Sequence, residues 1–237
     1  MKKIFLALFV FILSACADEK VYKVGISPDY PPFDMIVDGK LSGFDVELIS
    51  ALAKMQNIKI SFSTLSFDAL IPALKAGKID VIASGMTSNE QRKKSVDFSD
   101  TYYLAKTSYI KNKESSLSSI DEIKDKKVGV QLGTIQEFDA KKLGAKIVSN
   151  QDPIALILML NNNKLDAVAL DALVASEFIK KNENLVEFAS VANEEEGMQF
   201  AVNKGKNQEL LSKLNQALAE FKNTQEFKDL CDKYGIK

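Results

Sequence analysis

Ala69-Leu70-Ile71-x-x-Leu74-x-x-x-Lys78-Ile79-Asp80-Val81-Ile82-Ala83 recurs, with identical spacing and no gap, as Ala155-Leu156-Ile157-x-x-Leu160-x-x-x-Lys164-Leu165-Asp166-Ala167-Val168-Ala169. Each copy places apolar residues at helical spacing, then a polar break, then a short apolar run of the kind found in buried strands. The break is Gly77 in the first copy and Asn161 to Asn163 in the second. Each copy therefore predicts a helix feeding a strand, and an internal repeat of such a unit predicts two similar halves.

A second echo pairs Val24-Gly25-Ile26 with Val128-Gly129-Val130, two short strands followed by polar or glycine-containing turns. Between these strands the apolar periodicity predicts helices over Phe44 to Met55, Phe67 to Ala76, Thr134 to Leu143, Pro153 to Leu160 and Ala172 to Lys181. Strands alternating with helices give right-handed βαβ units in open α/β sheets. Ligands of such sheets sit beyond the carboxyl ends of the strands. The echoed strands end at Ser84-Gly85 and at Leu170-Asp171, so these residues are expected to line one cleft.

The chain has 237 residues and is 46% hydrophobic, enough for two modest lobes with their own cores. It opens with Lys2 and Lys3, the apolar run Ile4 to Leu13, then Ser14, Ala15 and Cys16, the layout of an export signal. That run is too short to span a bilayer. Leu13-Ser14-Ala15-Cys16 resembles the bacterial lipobox, which implies a signal peptide of residues 1–15 and acyl chains on Cys16. An ordinary signal peptide is the alternative, and both place the protein outside the cytoplasm, in the periplasm or at the cell surface. Acyl chains, at about 0.8 kcal/mol per buried CH₂, would hold it on a membrane without a spanning helix. Cys231 then has no partner for an intramolecular disulfide and is expected to pack in the last helix.

Without Lys2 and Lys3, 29 basic residues face 32 acidic ones, a net charge of −3 that gives no reason to expect nucleic acid. Of the 31 basic residues of the whole chain one is an arginine, Arg92. A planar guanidinium grips a carboxylate through two parallel hydrogen bonds, which an ammonium does not. A lone surface arginine is ordinarily worth little, but this one lies just past the strand end at Ser84-Gly85, with Thr87 or Ser88 placed to cap a short helix there. Asp171 ends the echoed strand of the other half, where it suits either a helix cap or a negative group facing Arg92. A guanidinium and a carboxylate on opposite halves match the two charges of an α-amino acid. Tyr30 and Phe67 are placed to stack on its side chain, Tyr30 in the proline-restrained loop Asp29-Tyr30-Pro31-Pro32-Phe33.

Asp29-Tyr30-Pro31-Pro32-Phe33, Gly43-Phe44-Asp45-Val46-Glu47-Leu48, Leu70-Ile71-Pro72-Ala73-Leu74, Ser84-Gly85-Met86-Thr87 leading to Arg92, and Val96-Asp97-Phe98-Ser99-Asp100 with Tyr102-Tyr103 together resemble the polar amino-acid branch of the periplasmic solute-binding proteins that serve ABC transporters. The resemblance runs over nearly the whole mature chain. It implies the α/β, two-lobed type II periplasmic-binding-protein fold, each lobe a mixed sheet flanked by helices, joined by a two-strand hinge. Lobe 1 would comprise residues 20–107 plus 202–237 and lobe 2 residues 108–201, with hinges near Ala105 to Tyr109 and Gly197 to Val202. It implies that Arg92 binds a ligand α-carboxylate with Ser84, Gly85, Thr87 and the backbone of Thr134, and that Asp171 binds the α-ammonium. It further implies that Tyr30 and Phe67 sandwich the side chain, with Gln131 and Gln136 reaching it. Many relatives specific for basic amino acids carry an acidic residue where this chain has Ser27, and Asp29 is the available substitute. The reading leans to a basic or polar amino acid, a monomer, an ABC permease as partner and no cofactor.

Two other functions fit the fold class. The lobes also resemble cyclohexadienyl dehydratases, but the chain has no histidine, which removes His-dependent triads and His-based metal sites, and no metal site is expected. A receptor or adhesin that kept the fold is the other, and fold alone does not separate it from transport.

Overall fold

The computed structural model describes residues 20–192 and 197–236. The signal segment and Cys16 lie outside the described residues. The chain runs through β1 (Val21–Ile26), the hairpin of β2 (Met35–Val37) and β3 (Lys40–Ser42), α1 (Phe44–Met55), β4 (Lys59–Thr64), α2 (Phe67–Lys75), β5 (Val81–Ile82), the one-turn α3 (Glu90–Lys93) and β6 (Val96–Phe98). It crosses to β7 (Lys106–Asn112), β8 (Lys127–Gln131), α4 (Ile135–Lys142), β9 (Lys146–Asn150), α5 (Pro153–Asn161), β10 (Ala167–Asp171), α6 (Ala172–Lys181) and β11 (Leu185–Ala192). It returns through β12 (Ala201–Asn203) and ends in α7 (Gln208–Phe221) and α8 (Gln225–Tyr234).

Two mixed sheets result, in the orders β4-β1-β5-β12-β6 and β9-β8-β10-β7-β11. The echoed strands β5 and β10 are central in each. On one side each lies parallel to the Val-Gly-x strand, β1 or β8. On the other it lies antiparallel to a strand that has just arrived from the opposite lobe, β12 or β7. The two lobes are thus built alike, and the chain joins them twice.

The physical content of the echo lies in matching contacts. A Cβ on Gly25 would sit 2.3 Å from Ile79 Cδ1 and 3.2 Å from Leu70 Cδ2, and one on Gly129 would sit 2.6 Å from Leu165 Cδ1 and 3.1 Å from Leu156 Cδ2. Both glycines are there because the echoed helix and strand close directly onto the neighbouring backbone. The Asp80 carboxylate accepts from Lys23 N–H at 2.9 Å, and Asp166 accepts from Lys127 N–H at 2.7 Å, so each lobe repeats the same side-chain clasp. Gly77 and Asn163 both turn left-handed after their helix, at φ 69° and 55°, which is why glycine and asparagine mark the break.

Helices α1 and α6 occupy the predicted ranges, α2 and α5 differ by a residue at one end and α4 by a residue at each end, within the fraying of helix termini. Helices α7 and α8 pack on α1. Leu210, Leu214, Leu218 and Phe221 of α7 are fully buried there, each such side chain contributing about 1.5–3 kcal/mol by leaving water. Cys231 packs half-buried against this core from α8, as expected of the last helix. Among the described residues no helix is long and apolar enough to cross a membrane.

Candidate functional site

The carboxyl ends of β5 and β10 face each other across the junction of the lobes. After β5 the chain passes Ser84 and turns at Gly85, at φ 50°, before reaching α3. The cap of α3 is Asn89, whose side chain accepts from Arg92 N–H at 2.8 Å, and not Thr87 or Ser88. The correction has a simple cause: a helix of one turn beginning at Glu90 presents its free N–H groups to residue 89.

Arg92 is buried and spans the junction. Its Nη1 donates to Thr87 O at 2.5 Å and its Nη2 donates to Gly133 O of the other lobe at 2.8 Å. The guanidinium carbon lies 5.3 Å from the centre of the Phe67 ring, within cation–π range. Phe67 therefore forms a floor under the guanidinium, a role that the expected sandwich with Tyr30 does not include.

Asp171 stands at the N-terminus of α6 but makes no capping bond with its side chain. The carboxylate turns into the junction, accepting from the Tyr30 hydroxyl at 2.7 Å and from Gln136 Nε2 at 3.3 Å. The same hydroxyl accepts from the Asp171 N–H at 3.1 Å. Helix capping is thus not the role of this side chain. Burial pushes its pKa up to about 6, against the opposing pull of Tyr30, Arg92 and Gln136.

Nine of the eleven residues predicted for the site line one small cavity: Tyr30, Phe67, Gly85, Thr87, Arg92, Gln131, Thr134, Gln136 and Asp171, joined by Ile135. Its volume is about 10 Å³, room for roughly one water, so the polar groups of the two lobes reach each other directly. Ser84 and Asp29 lie outside the lining. The Ser84 hydroxyl donates to Asp34 at 2.8 Å and accepts from Ser27 N–H at 2.9 Å, which turns it into lobe 1. Asp29 accepts from Ser27 Oγ at 3.0 Å and, across the junction, from Gln131 Nε2 at 3.2 Å. Burial raises its pKa, opposed by those two bonds and reinforced by the charge of Asp152. Nearby, Gln151 Nε2 bridges to both oxygens of Asp68 at 3.1 and 3.2 Å.

Beneath the Ser84-Gly85 turn lie two acids whose meeting has no signature in the sequence. Asp34 and Asp45 are both completely buried. Asp45 accepts from Gly85 N–H at 2.5 Å and from the Tyr102 hydroxyl at 2.9 Å. Asp45 stands inside a motif quoted above and Asp34 directly follows one, but inward orientation of an acid leaves no mark on hydropathy.

Residues 22–237 match the family model of bacterial extracellular solute-binding proteins, family 3. The chain belongs to this family. Among curated relatives, a protein of Campylobacter jejuni named as a probable histidine-binding protein is 42% identical over 217 residues, covering 91% of this chain and 85% of that protein. The arginine-binding extracellular protein ArtP of Bacillus subtilis is 36% identical, covering 96% and 94%. The solved structure of an ancestral arginine-binding protein bound to arginine superposes with a TM-score of 0.85 at 38% identity, covering 90% of this chain and 97% of that one. These relatives are named as binding proteins, and this solute-binding protein is likewise not an enzyme. Its two-lobed α/β fold is that of the family.

Proposed function

We propose that this solute-binding protein captures a free basic amino acid between its lobes and delivers it to an ABC importer. The observation that carries the reading is that Arg92 of one lobe and Asp171 of the other line the same cavity. The guanidinium suits the α-carboxylate and the Asp171 carboxylate suits the α-ammonium. Each charge-assisted bond contributes about 1.5–3 kcal/mol, and the zwitterion bridges both lobes. Thr87, Gly85 and Thr134 surround the carboxylate end, while Tyr30, Phe67 and Gln136 enclose the side chain.

A basic side chain is favoured for two reasons. The named relatives include histidine- and arginine-binding proteins. Asp29 and Asp68, tied to Gln131 and Gln151, supply negative charge at the rim. Asp29 then takes the part of the acid that Ser27 replaces, acting through or beside Gln131.

Entry requires the lobes to part, because the Tyr30–Asp171 and Arg92–Gly133 bonds occupy the space that a ligand needs. Those bonds are exchanged for bonds to the ligand on reclosure, and the closed shape is what a permease recognises. The division we adopt is residues 20–107 with 202–237 against 108–201. Its hinges are the crossing segments near Ala105 to Tyr109 and Gly197 to Val202, which run side by side next to the point where Met198 N–H donates to Tyr103 O at 2.8 Å. Signal cleavage before Cys16 and lipidation of that residue complete the proposal, with the protein acting as a monomer on a membrane surface. Cys16→Ala then releases it from the membrane fraction.

The test is a thermal-shift screen of the purified protein against the twenty L-amino acids, since binding to the folded state raises the melting temperature. A shift with arginine, histidine or lysine is expected. No shift with any amino acid overturns the proposal.

A further inference from the structure

We propose that Asp34 and Asp45 act as a positioning pair that shares a single proton and thereby fixes the Ser84-Gly85 turn at the carboxylate end of the cleft. The inference rests on the reading under Proposed function for what the turn does, but not for the pair itself.

The backbone brings the two acids together. A Cβ on Gly43 would fall 2.1 Å from Phe33 O, and this close approach lets Phe44 N–H reach Pro32 O at 3.0 Å and Asp45 N–H reach Phe33 O at 3.1 Å. The Tyr30-to-Asp34 turn is thereby clamped onto the first turn of α1. From that clamp both side chains rise under the same turn: Asp34 Oδ2 accepts from Ser84 Oγ at 2.8 Å, and Asp45 Oδ2 accepts from Gly85 N–H at 2.5 Å. Neither residue is exposed to solvent, and each keeps one buried oxygen, Oδ1, without a hydrogen-bond partner.

Two fully buried carboxylates, each with an unsatisfied oxygen, are costly when both are ionised. One proton held by the pair removes the difficulty, leaving a single buried negative charge in place of two. The charged groups acting on the pair from its surroundings offer no relief. Asp29 bears on Asp34, Asp171 bears on Asp45 from across the cleft, and Tyr102 donates to Asp45 as a neutral hydroxyl. From α8, Tyr234 packs on Phe44 but bonds to Glu47. Burial lifts Asp45 to about 7, and burial with the charge of Asp45 lifts Asp34 well above the carboxylate range.

The sign follows from those raised values. The native state holds a proton that the unfolded chain releases near pH 4, so stability declines as pH rises from about 4 to about 7. Where the pair gives up its last proton, on the alkaline side of that window, two negative charges share one buried site and the turn that they hold shifts. Ligand affinity is therefore expected to fall by up to tenfold per pH unit on the alkaline side of neutrality.

Asp45→Asn mimics the protonated acid: its carbonyl accepts from Gly85 and Tyr102 and it carries no charge to titrate. Isothermal titration with L-arginine and L-histidine between pH 6.5 and 8.5 should show wild-type affinity falling while that of Asp45→Asn holds level. Asp45→Ala should be weak throughout. Titration of the ligand's own amine is common to all variants and cancels in the comparison. Carboxyl ¹³C resonances of the aspartates, followed without ligand, should show two groups titrating in widely separated steps in the wild type, one of them absent in Asp45→Asn. Parallel affinity curves for wild type and Asp45→Asn, or both carboxyls titrating near their ordinary values, overturn the proposal. If no amino acid binds, the reading of the cleft fails, and the ¹³C titration still decides whether the proton is shared.

Discussion

The ends of β5 and β10 are equivalent positions in two copies of one helix–strand unit, and they finish with opposite chemistry. In lobe 1 the strand runs into Ser84 and the left-handed Gly85, whose polar groups turn down onto Asp34 and Asp45 while the chain continues to Arg92. In lobe 2 the strand ends in Asp171, whose carboxylate turns up into the junction and meets Tyr30. A duplicated scaffold fixes where the two ends face each other, and the residue at each end sets the charge. The pairing of a cationic end with an anionic one is what matches a zwitterion, and neither lobe has both.

Removing one charge from this comparison gives the largest expected effect. Asp171→Ala leaves an ammonium buried without a partner, and truncation of one member of a buried charge pair costs about 2–5 kcal/mol, so affinity for the amino acid should drop at least ~30-fold in a calorimetric titration. Arg92→Lys keeps the charge but replaces a planar fork by a point donor, and the expected loss is about tenfold or somewhat more. A dissociation constant that did not move in either variant would remove that residue from the site.

Acidification sharpens the same comparison from one side. Asp171 has its pKa raised to about 6 by burial, and it must be ionised to receive an ammonium. Protons therefore compete with the ligand below that value, and affinity should fall by about fivefold as pH drops from 6 to 5 and more steeply below. The acid limb should vanish in Asp171→Asn, which is weak at every pH.

The smallest effects test the scaffold that the two ends share. Gly25→Ala and Gly129→Ala each force a Cβ into the apolar side chains packed over the strand, and should each lower stability by about 1–3 kcal/mol in urea unfolding. The 2.3 Å approach at Gly25 is tighter than the 2.6 Å approach at Gly129, so lobe 1 should lose more.

The scaffold was legible in the sequence because it obeys periodicity. Helical spacing, the break at Gly77 or Asn163 and the apolar run of each strand all leave local patterns, and their repetition exposed the two lobes. Arg92 and Asp171 were legible because strand ends in such sheets face ligands. The destinations of Ser84 and Asp29 were not, since a serine at a strand end points equally well to a cleft or to a buried acid, and only the clamp at Gly43 decides it. Helix α7 and the β2–β3 hairpin were not anticipated either, and α8 only as a last helix around Cys231. The partners of α7 and α8 lie far along the chain, as in Lys233 Nζ donating to Glu47 of α1 at 2.7 Å, and no repeat advertises them.

The most direct measurement of the central claim is calorimetric titration of the protein with L-arginine beside two of its analogues, agmatine, which lacks the carboxylate, and the deaminated acid, which lacks the ammonium. The account predicts binding of the amino acid and a loss of at least ~100-fold for each analogue, because each leaves one buried charge of the cleft unanswered. Equal binding of either analogue would contradict the bridging of the two lobes by a zwitterion.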